Sequence, residues 1–255
     1  MNGPAGPASV AALERRVAEL EAGMEEHDEL AFTLTHDLRA PLRAIAGYTQ
    51  LITQEEGGKL SEEGQRWLEA VGAGASRMVR LVDGLARFSR LARADFACAP
   101  VDMYRLASEA ADALERSGTA GRAAIDVAPL PPVMGDPDRL REVWDELLAN
   151  AVKFSATVET PRVRVAIQKG ESGPIFTIED NGAGFDMKHA GRLFGMFQRL
   201  HHPADFDGTG VGLAIARRIV LRHGGSIRAE ANPGAGARFS FEIPARSGGV
   251  AQERP

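Results

Sequence analysis

Phe32 to Leu42 reads FTLTHDLRAPL, with His36 at its centre. Leu34 and Leu38 belong to a helical apolar pattern, and at about 100° per residue His36 lies roughly 200° from each of them. Its imidazole therefore faces away from the core stripe. A carboxylate beside it, Asp37, can accept one ring N–H and leave the other nitrogen free to attack, as a nucleophile requires. A surface histidine next to an acid looks the same locally, so the decision rests on what the rest of the chain encodes.

Upstream, Leu13, Val17, Leu20, Met24, His27, Ala31, Leu34 and Leu38 recur at alternating spacings of four and three. That is a heptad seam, weakened in its middle by His27 and Ala31. A monomeric amphipathic helix would show a similar stripe. The unbroken run into the His36 helix favours a dimer. Downstream, Pro41 interrupts the pattern of Leu42, Ile45 and Ile52, and is expected to bend the helix one turn after His36. Gln54 to Lys59 reads as the turn of a helical hairpin, and Ser61 followed by Glu62 and Glu63 as the start of a second helix. Leu68, Val71, Ala75, Met78, Val82, Leu85 and Phe88 form that helix's apolar side. Two long antiparallel helices cannot bury both faces alone, whereas two copies give a four-helix bundle.

The chain has 255 residues, a net charge of −5 with interspersed signs, and one cysteine, Cys98. No nucleic-acid or anionic-membrane partner is expected from that balance, and no disulfide framework. No apolar run reaches the length of a membrane span, and MNGPAGPASV lacks the apolar centre of a signal peptide. A soluble, cytoplasmic protein is expected, with no membrane insertion.

Beyond a hinge at Ala92 to Pro100, strand and helix signals alternate. Asp102 to Glu115 reads as a helix, Ala124 to Val127 as a strand, and GDPDRL from Gly135 as a helix start with Asp136 as cap and Pro137 at its first position. Arg162 to Gln168, Pro174 to Glu179, Ser226 to Glu230 and Ala237 to Ile243 read as strands, with a helix from about Val211 to Arg222 between the last two pairs. One sheet with helices on one face, an α+β sandwich, accommodates this order.

Three stretches of this half suggest a nucleotide site. On the helix from Asp138 to Phe154, Leu140, Val143, Leu147, Ala151 and Phe154 make the apolar stripe, and Glu146, Asn150 and Lys153 make a second stripe about 100° round from it. A carboxylate, an amide oxygen and an ammonium on one ledge suit a hydrated Mg²⁺ and its phosphates, although a solvated face shows the same residue types. The strand ending at Glu179 delivers Asp180 into Asn181-Gly182-Ala183-Gly184. Asp-Asn-Gly is also a good hairpin turn, but a strand-end carboxylate can accept from the 6-amino group of adenine and discriminate against guanine. Gly208-Thr209-Gly210-Val211-Gly212-Leu213 opens a helix, where backbone N–H groups bind phosphate. No Gly-Lys-Ser/Thr phosphate loop and no HRD and DFG pair is present. Phe194 and Phe197 in LFGMFQRL read equally well as core aromatics, and the polar loop from His201 to Asp207 as a lid.

Together these stretches resemble a sensor histidine kinase of two-component signalling. FTLTHDLRAPL resembles the H box of that family, DELLANAVKFS from Asp145 the N box, DNGAGF from Asp180 the first glycine box, LFGMFQRL the F box and GTGVGL from Gly208 the second glycine box. HDLRAPLRAI and FQRLHH are particularly similar to phytochrome-type kinases. The resemblance implies a multidomain protein: an all-α dimerisation and phosphotransfer hairpin, a four-helix bundle as a dimer, then an α+β ATP-binding sandwich. The expected segments are a disordered 1–9, a coiled-coil signalling helix 10–30, the hairpin domain 31–95, the ATP-binding domain 96–245 and a disordered tail 246–255.

Carried over residue by residue, the resemblance makes His36 the acceptor of the γ-phosphoryl group of ATP, with Asp37 orienting or deprotonating it. Asn150 holds Mg²⁺, Glu146 supports the metal or its water, Lys153 meets phosphate and Asp180 reads adenine. Phe154, Gly182, Gly184, Gly208, Thr209, Gly210, Val211, Gly212 and Leu213 shape the nucleotide pocket, and Arg199 is a further phosphate contact. A receiver aspartate on a response regulator takes the phosphoryl group next. Competing readings are a non-catalytic phosphotransfer scaffold and an ATPase or serine kinase of the same superfamily. No sensory domain precedes the seam, which implies a fragment or a sensor acting in trans. Members that dephosphorylate their regulator carry Thr or Asn where this chain has Ala40, so weak phosphatase activity is expected. Strong stimulation of phosphate release from a phosphorylated regulator would contradict that expectation.

Overall fold

A computed structural model of the chain describes residue 35, residues 37–202 and residues 205–244. The seam upstream of Thr35, His36 and the tail lie outside the described residues. The chain divides into two compact units, residues 1–94 and 95–255.

In the first unit, helix α1 runs over 37–56, continuous through Pro41. A 3-10 turn at Gly57–Lys59 leads into helix α2, Glu62–Arg93. Ser61 caps α2 through its hydroxyl, which accepts from the Gly64 N–H, and Glu62 and Glu63 complement the first-turn dipole. Gln65 reaches back to donate to the Gly57 carbonyl at 2.7 Å, closing the turn. Across the hairpin, Arg39 Nε donates to Asp83 Oδ1 at 2.8 Å. At Gly72 a Cβ would stand 3.3 Å from Thr49 Oγ1, so the helices approach closely there. The expected apolar side of α2 is not covered throughout: Val71 and Met78 are exposed, as are Leu38, Ile45, Leu51 and Ile52 of α1.

The second unit contains β1 (Ala99–Val101), α3 (Met103–Arg116), β2 (Ala124–Val127), β3 (Val133–Gly135), α4 (Pro137–Ser155), β4 (Arg162–Lys169), β5 (Pro174–Asp180), α5 (Gly212–Arg222), β6 (Ser226–Ala231) and β7 (Ala237–Glu242). The five-stranded sheet has the order β2-β4-β5-β7-β6, parallel between β2 and β4 and antiparallel elsewhere. The short strands β1 and β3 pair separately. Helices α3, α4 and α5 pack against the large sheet and one another. Trp144 of α4 meets Phe176 and Phe241 edge-on at 5.9 and 5.1 Å, and all three are fully buried. Val163, Val165, Ile178 and Phe239 extend that layer, with Leu140, Leu147, Ile215 and Ile219 opposite.

Strand period two sends the intervening residues to the opposite face of the sheet. The registers align Asp126, Arg164, Glu179, Arg238 and Glu230 in one row across all five strands, with alternating charge. Within it Arg238 Nε lies 2.8 Å from Glu179 Oε1. A one-residue slip of any strand would break the row. Glu179→Arg places three arginines side by side and is expected to cost about 1 kcal/mol, lowering the melting temperature by roughly 2–4 °C in calorimetry.

Three short elements are not anticipated from sequence. The pair β1 and β3 lies in Pro-containing stretches too short to show a period, and a 3-10 helix spans Met187–Arg192. Among the described residues no helix is long and apolar enough to cross a membrane.

Candidate nucleotide site

Asp136 opens α4: its Oδ1 accepts from the Asp138 and Arg139 N–H groups at 3.1 and 3.0 Å, and Pro137 follows at the first helical position. With Leu140, Val143, Leu147 and Ala151 wholly buried, the helix is held in one rotation about its axis. That rotation brings Glu146, Asn150 and Lys153 to the wall of a cavity of about 380 Å³.

The same wall receives the end of β5. Phe176, Ile178 and Asp180 alternate onto the helix side of the sheet, so the last of them sets a carboxylate where the first two set apolar groups. Asp180 is 8% exposed and lines the cavity; Oδ1 accepts from the Gly182 N–H at 2.9 Å. Burial pushes its carboxyl above the usual range, opposed by hydrogen bonds from the Gly182 and Ala237 N–H groups. The Asp-Asn-Gly stretch is not a hairpin turn, since β5 pairs with β4 and β7 and its Asn181 instead ties to Arg162 N–H and the Thr160 carbonyl.

Three glycines seat the loop after Asp180. A Cβ on Gly182 would collide with the Phe154 carbonyl, one on Gly184 with the Asn232 carbonyl, and one on Gly236 with the Asp180 carbonyl. Close backbone contacts replace them: Ala183 N–H to Phe154 O at 3.0 Å, Gly234 N–H to Ala183 O at 2.7 Å, and Gly236 N–H to Gly182 O at 3.0 Å. The turn between β6 and β7 thus clasps the loop that follows β5.

Lys153 Nζ lies 4.3 Å from the Phe154 ring centre. Burial, and secondly the nearby Arg199 guanidinium, lower its pKa, while Asp207 and Glu146 oppose them. Two cations at the rim of one cavity make a natural anion seat. Gly208, Thr209, Gly210, Gly212 and Leu213 complete that rim. Helix α5 begins at Gly212 with no side-chain cap, and a Cβ on Gly212 would collide with the Glu146 carboxylate, which therefore faces the helix's first turn. Gly210 (φ 71°) lies against the Phe197–Gln198 peptide.

The cavity therefore gathers Glu146, Asn150, Lys153, Phe154, Asp180, Gly184, Arg199, Gly208, Thr209, Gly210, Gly212 and Leu213. Two candidates do not line it. Gly182 serves beneath, packed on the end of α4, and Val211 is buried beside α5 because its side chain turns into the core. Phe194 and Phe197 are neither core nor lining; Phe197 is exposed, with φ 59°. The aromatic wall comes instead from His201 and Phe206, which meet Phe154 at 5.0 and 4.9 Å between ring centres. Burial lowers the His201 pKa, against the Gly184 carbonyl and Asp205. An aromatic embedded in the polar run HHPADFD is the signal that marks this wall. Asp37 is exposed on α1, and His36 lies outside the described residues.

Comparison with known proteins adds two family matches. Residues 26–93 match the His Kinase A (phospho-acceptor) domain, and residues 135–247 match the histidine kinase-, DNA gyrase B- and HSP90-like ATPase. The phytochrome-like protein Cph1 of Synechocystis sp. is 31% identical over 232 residues, covering 91% of this chain and 31% of that protein. Cyanobacterial phytochrome B of Nostoc sp. is 34% identical over 229 residues, covering 88% and 30%. The chain thus spans about a third of the length of these relatives. Among solved structures, full-length ShkA in complex with AMPPNP is similar at TM-score 0.61 and 30% identity, over 85% of this chain and 45% of that one.

Proposed function

Because the chain belongs to the sensor histidine kinases of two-component signalling, we propose that it transfers the γ-phosphoryl group of ATP to His36 and then to an aspartate of a response regulator. The observation that carries this reading is the convergence, in one cavity, of an adenine-side carboxylate, Asp180, with an acidic, amide and cationic ledge, Glu146, Asn150 and Lys153.

In this reading the apolar part of the cavity takes adenine, and Asp180 accepts its 6-amino group. Lys153 and Arg199 neutralise phosphate, and the N–H groups from Gly208 to Leu213 complete the anion seat. The donor set suits Mg²⁺, which takes a few protein oxygens and completes its shell with phosphate and water. Glu146 and Asn150 supply those oxygens, and among the described residues no cluster of three or more His, Cys, Asp or Glu forms an all-protein cage. Bound there, the ion supplies charge neutralisation on the transferring group. A His36 ring nitrogen attacks the γ-phosphorus, the bond to the β–γ bridging oxygen breaks, and ADP leaves; Asp37 takes up the ring proton. Catalysis is mainly positioning and electrostatics.

Exposed Leu38, Ile45, Leu51, Ile52, Val71 and Met78 on the hairpin support a homodimer that buries them as a four-helix bundle. A sensor, in trans or on a longer chain, supplies the input. ATP as substrate places these two units in the cytoplasm. The reading is tested by incubating the chain with Mg²⁺ and γ-labelled ATP and asking whether acid-labile label appears on His36.

The raised Asp180 pKa adds a pH signature. The folded protein holds this proton more tightly than the unfolded chain, so the stability it confers is full below the unfolded pKa and is lost as pH rises through the folded one. Adenine needs the anion. ATP affinity is therefore expected to fall as pH drops through the raised value, and Asp180→Asn to bind roughly tenfold to a hundredfold more weakly at neutral pH, with that pH step gone. Calorimetric titration of ATP across pH for both proteins measures this.

A further inference from the structure

The segment that joins the two units is fastened to the second one at the end of α4 and α5 remote from the glycine-rich rim. The Ala97 N–H donates to Asp136 Oδ2 at 2.9 Å, while Oδ1 of the same carboxylate caps α4. The Asp136 N–H donates to His223 Nε2 at 2.9 Å, and His223 Nδ1 lies 2.8 Å from the Ile219 carbonyl. A backbone N–H can only donate, so Nε2 carries no proton and Nδ1–H donates to Ile219: the ring is neutral, with both nitrogens engaged. Asp136 and His223 are 7% and 8% exposed. Against this buried pair lies the linker's Phe96, its ring centre 5.1 Å from that of His223, with the Arg222 guanidinium 4.0 Å from its ring centre on the other contact.

We propose that Phe96 is a positioning residue for phosphoryl transfer: seated against Arg222 and His223, it pins linker residues 95–98 to the helices that carry the nucleotide and keeps the tether between the two units short. Unpinned, these residues add roughly 13 Å of extended chain. A longer, looser tether lowers the effective concentration of bound ATP at His36. ATP binding itself, at the other end of α4, does not involve Phe96. This inference rests on the autokinase reading.

The test compares the full chain with Phe96→Ala and Phe96→Tyr. Phe96→Ala is expected to slow His36 labelling at saturating MgATP by threefold or more, with an unchanged Kd for ATP and faster hydrogen exchange at the Ala97 amide. Phe96→Tyr keeps the ring and restores both rate and protection. Labelling at the wild-type rate in Phe96→Ala, or a loss of rate matched by an equal weakening of ATP binding, overturns the positioning role alone. A wild-type chain that binds ATP yet never labels His36 overturns the autokinase reading and this inference with it.

Discussion

Asn150→Ala is expected to slow phosphorylation of His36 by at least a hundredfold while ATP binding weakens far less. Asn150 sits four residues after Glu146 and three before Lys153 on one face of α4, and all three line the cavity. In the proposed site its amide oxygen holds the metal that neutralises the transferring phosphoryl group, an interaction that strengthens as charge develops in the transition state. A hundredfold corresponds to about 2.7 kcal/mol of transition-state stabilisation. The adenine contacts, Asp180 and the apolar wall, stay in place. The measurement is single-turnover labelling at saturating ATP alongside a binding isotherm. Labelling within threefold of wild type would remove Asn150 from the metal site.

Gly184→Ala is expected to be among the most damaging small substitutions in the ATP-binding unit. Its backbone has φ 57°, and the new Cβ would meet the carbonyls of Asn232 and Gly236, both held by the clasp between the β5 loop and the β6–β7 turn. Backbone cannot rotate away as a side chain can. The loop must move, taking with it the cavity wall next to Asp180, at a cost of about 3 kcal/mol or more. Gly118→Ala is the control. Gly118 has φ 73° but open space around its Cβ position, so only the left-handed strain of roughly 1–2 kcal/mol applies. Calorimetric melting of the two variants should therefore differ, with ATP binding lost only in Gly184→Ala. Equal melting temperatures would mean that the clasp yields freely.

Much of this architecture is readable from local residue patterns. The Asp136-Pro137 start of α4, its buried stripe and the polar ledge of Glu146, Asn150 and Lys153 are all set by helical period and capping, which act within a few residues. The strands of the large sheet are rich in β-branched and aromatic residues, and β4 alternates in burial along its first half, so they are equally legible. What escapes a local reading depends on distant partners. Gly182 and Gly184 look like pocket glycines in sequence, yet Gly182 is shaped by the end of α4, and Gly184 by a turn about fifty residues onward. Val211 sits within a phosphate-type motif but faces the core. The cavity's aromatic wall uses His201 and Phe206 in place of Phe194 and Phe197, a choice that only the packing of the loop on Phe154 makes. Nothing in the sequence singles out Phe96, whose partners Arg222 and His223 lie more than a hundred residues further along the chain.

The most direct test is to incubate the full chain with Mg²⁺ and γ-labelled ATP and map the modified residue. Label that is acid-labile, alkali-stable, located on His36 and missing from His36→Ala is the predicted result. A folded, ATP-binding chain that carries no label at His36 in the presence of its upstream activator, or that labels undiminished in His36→Ala, contradicts the account.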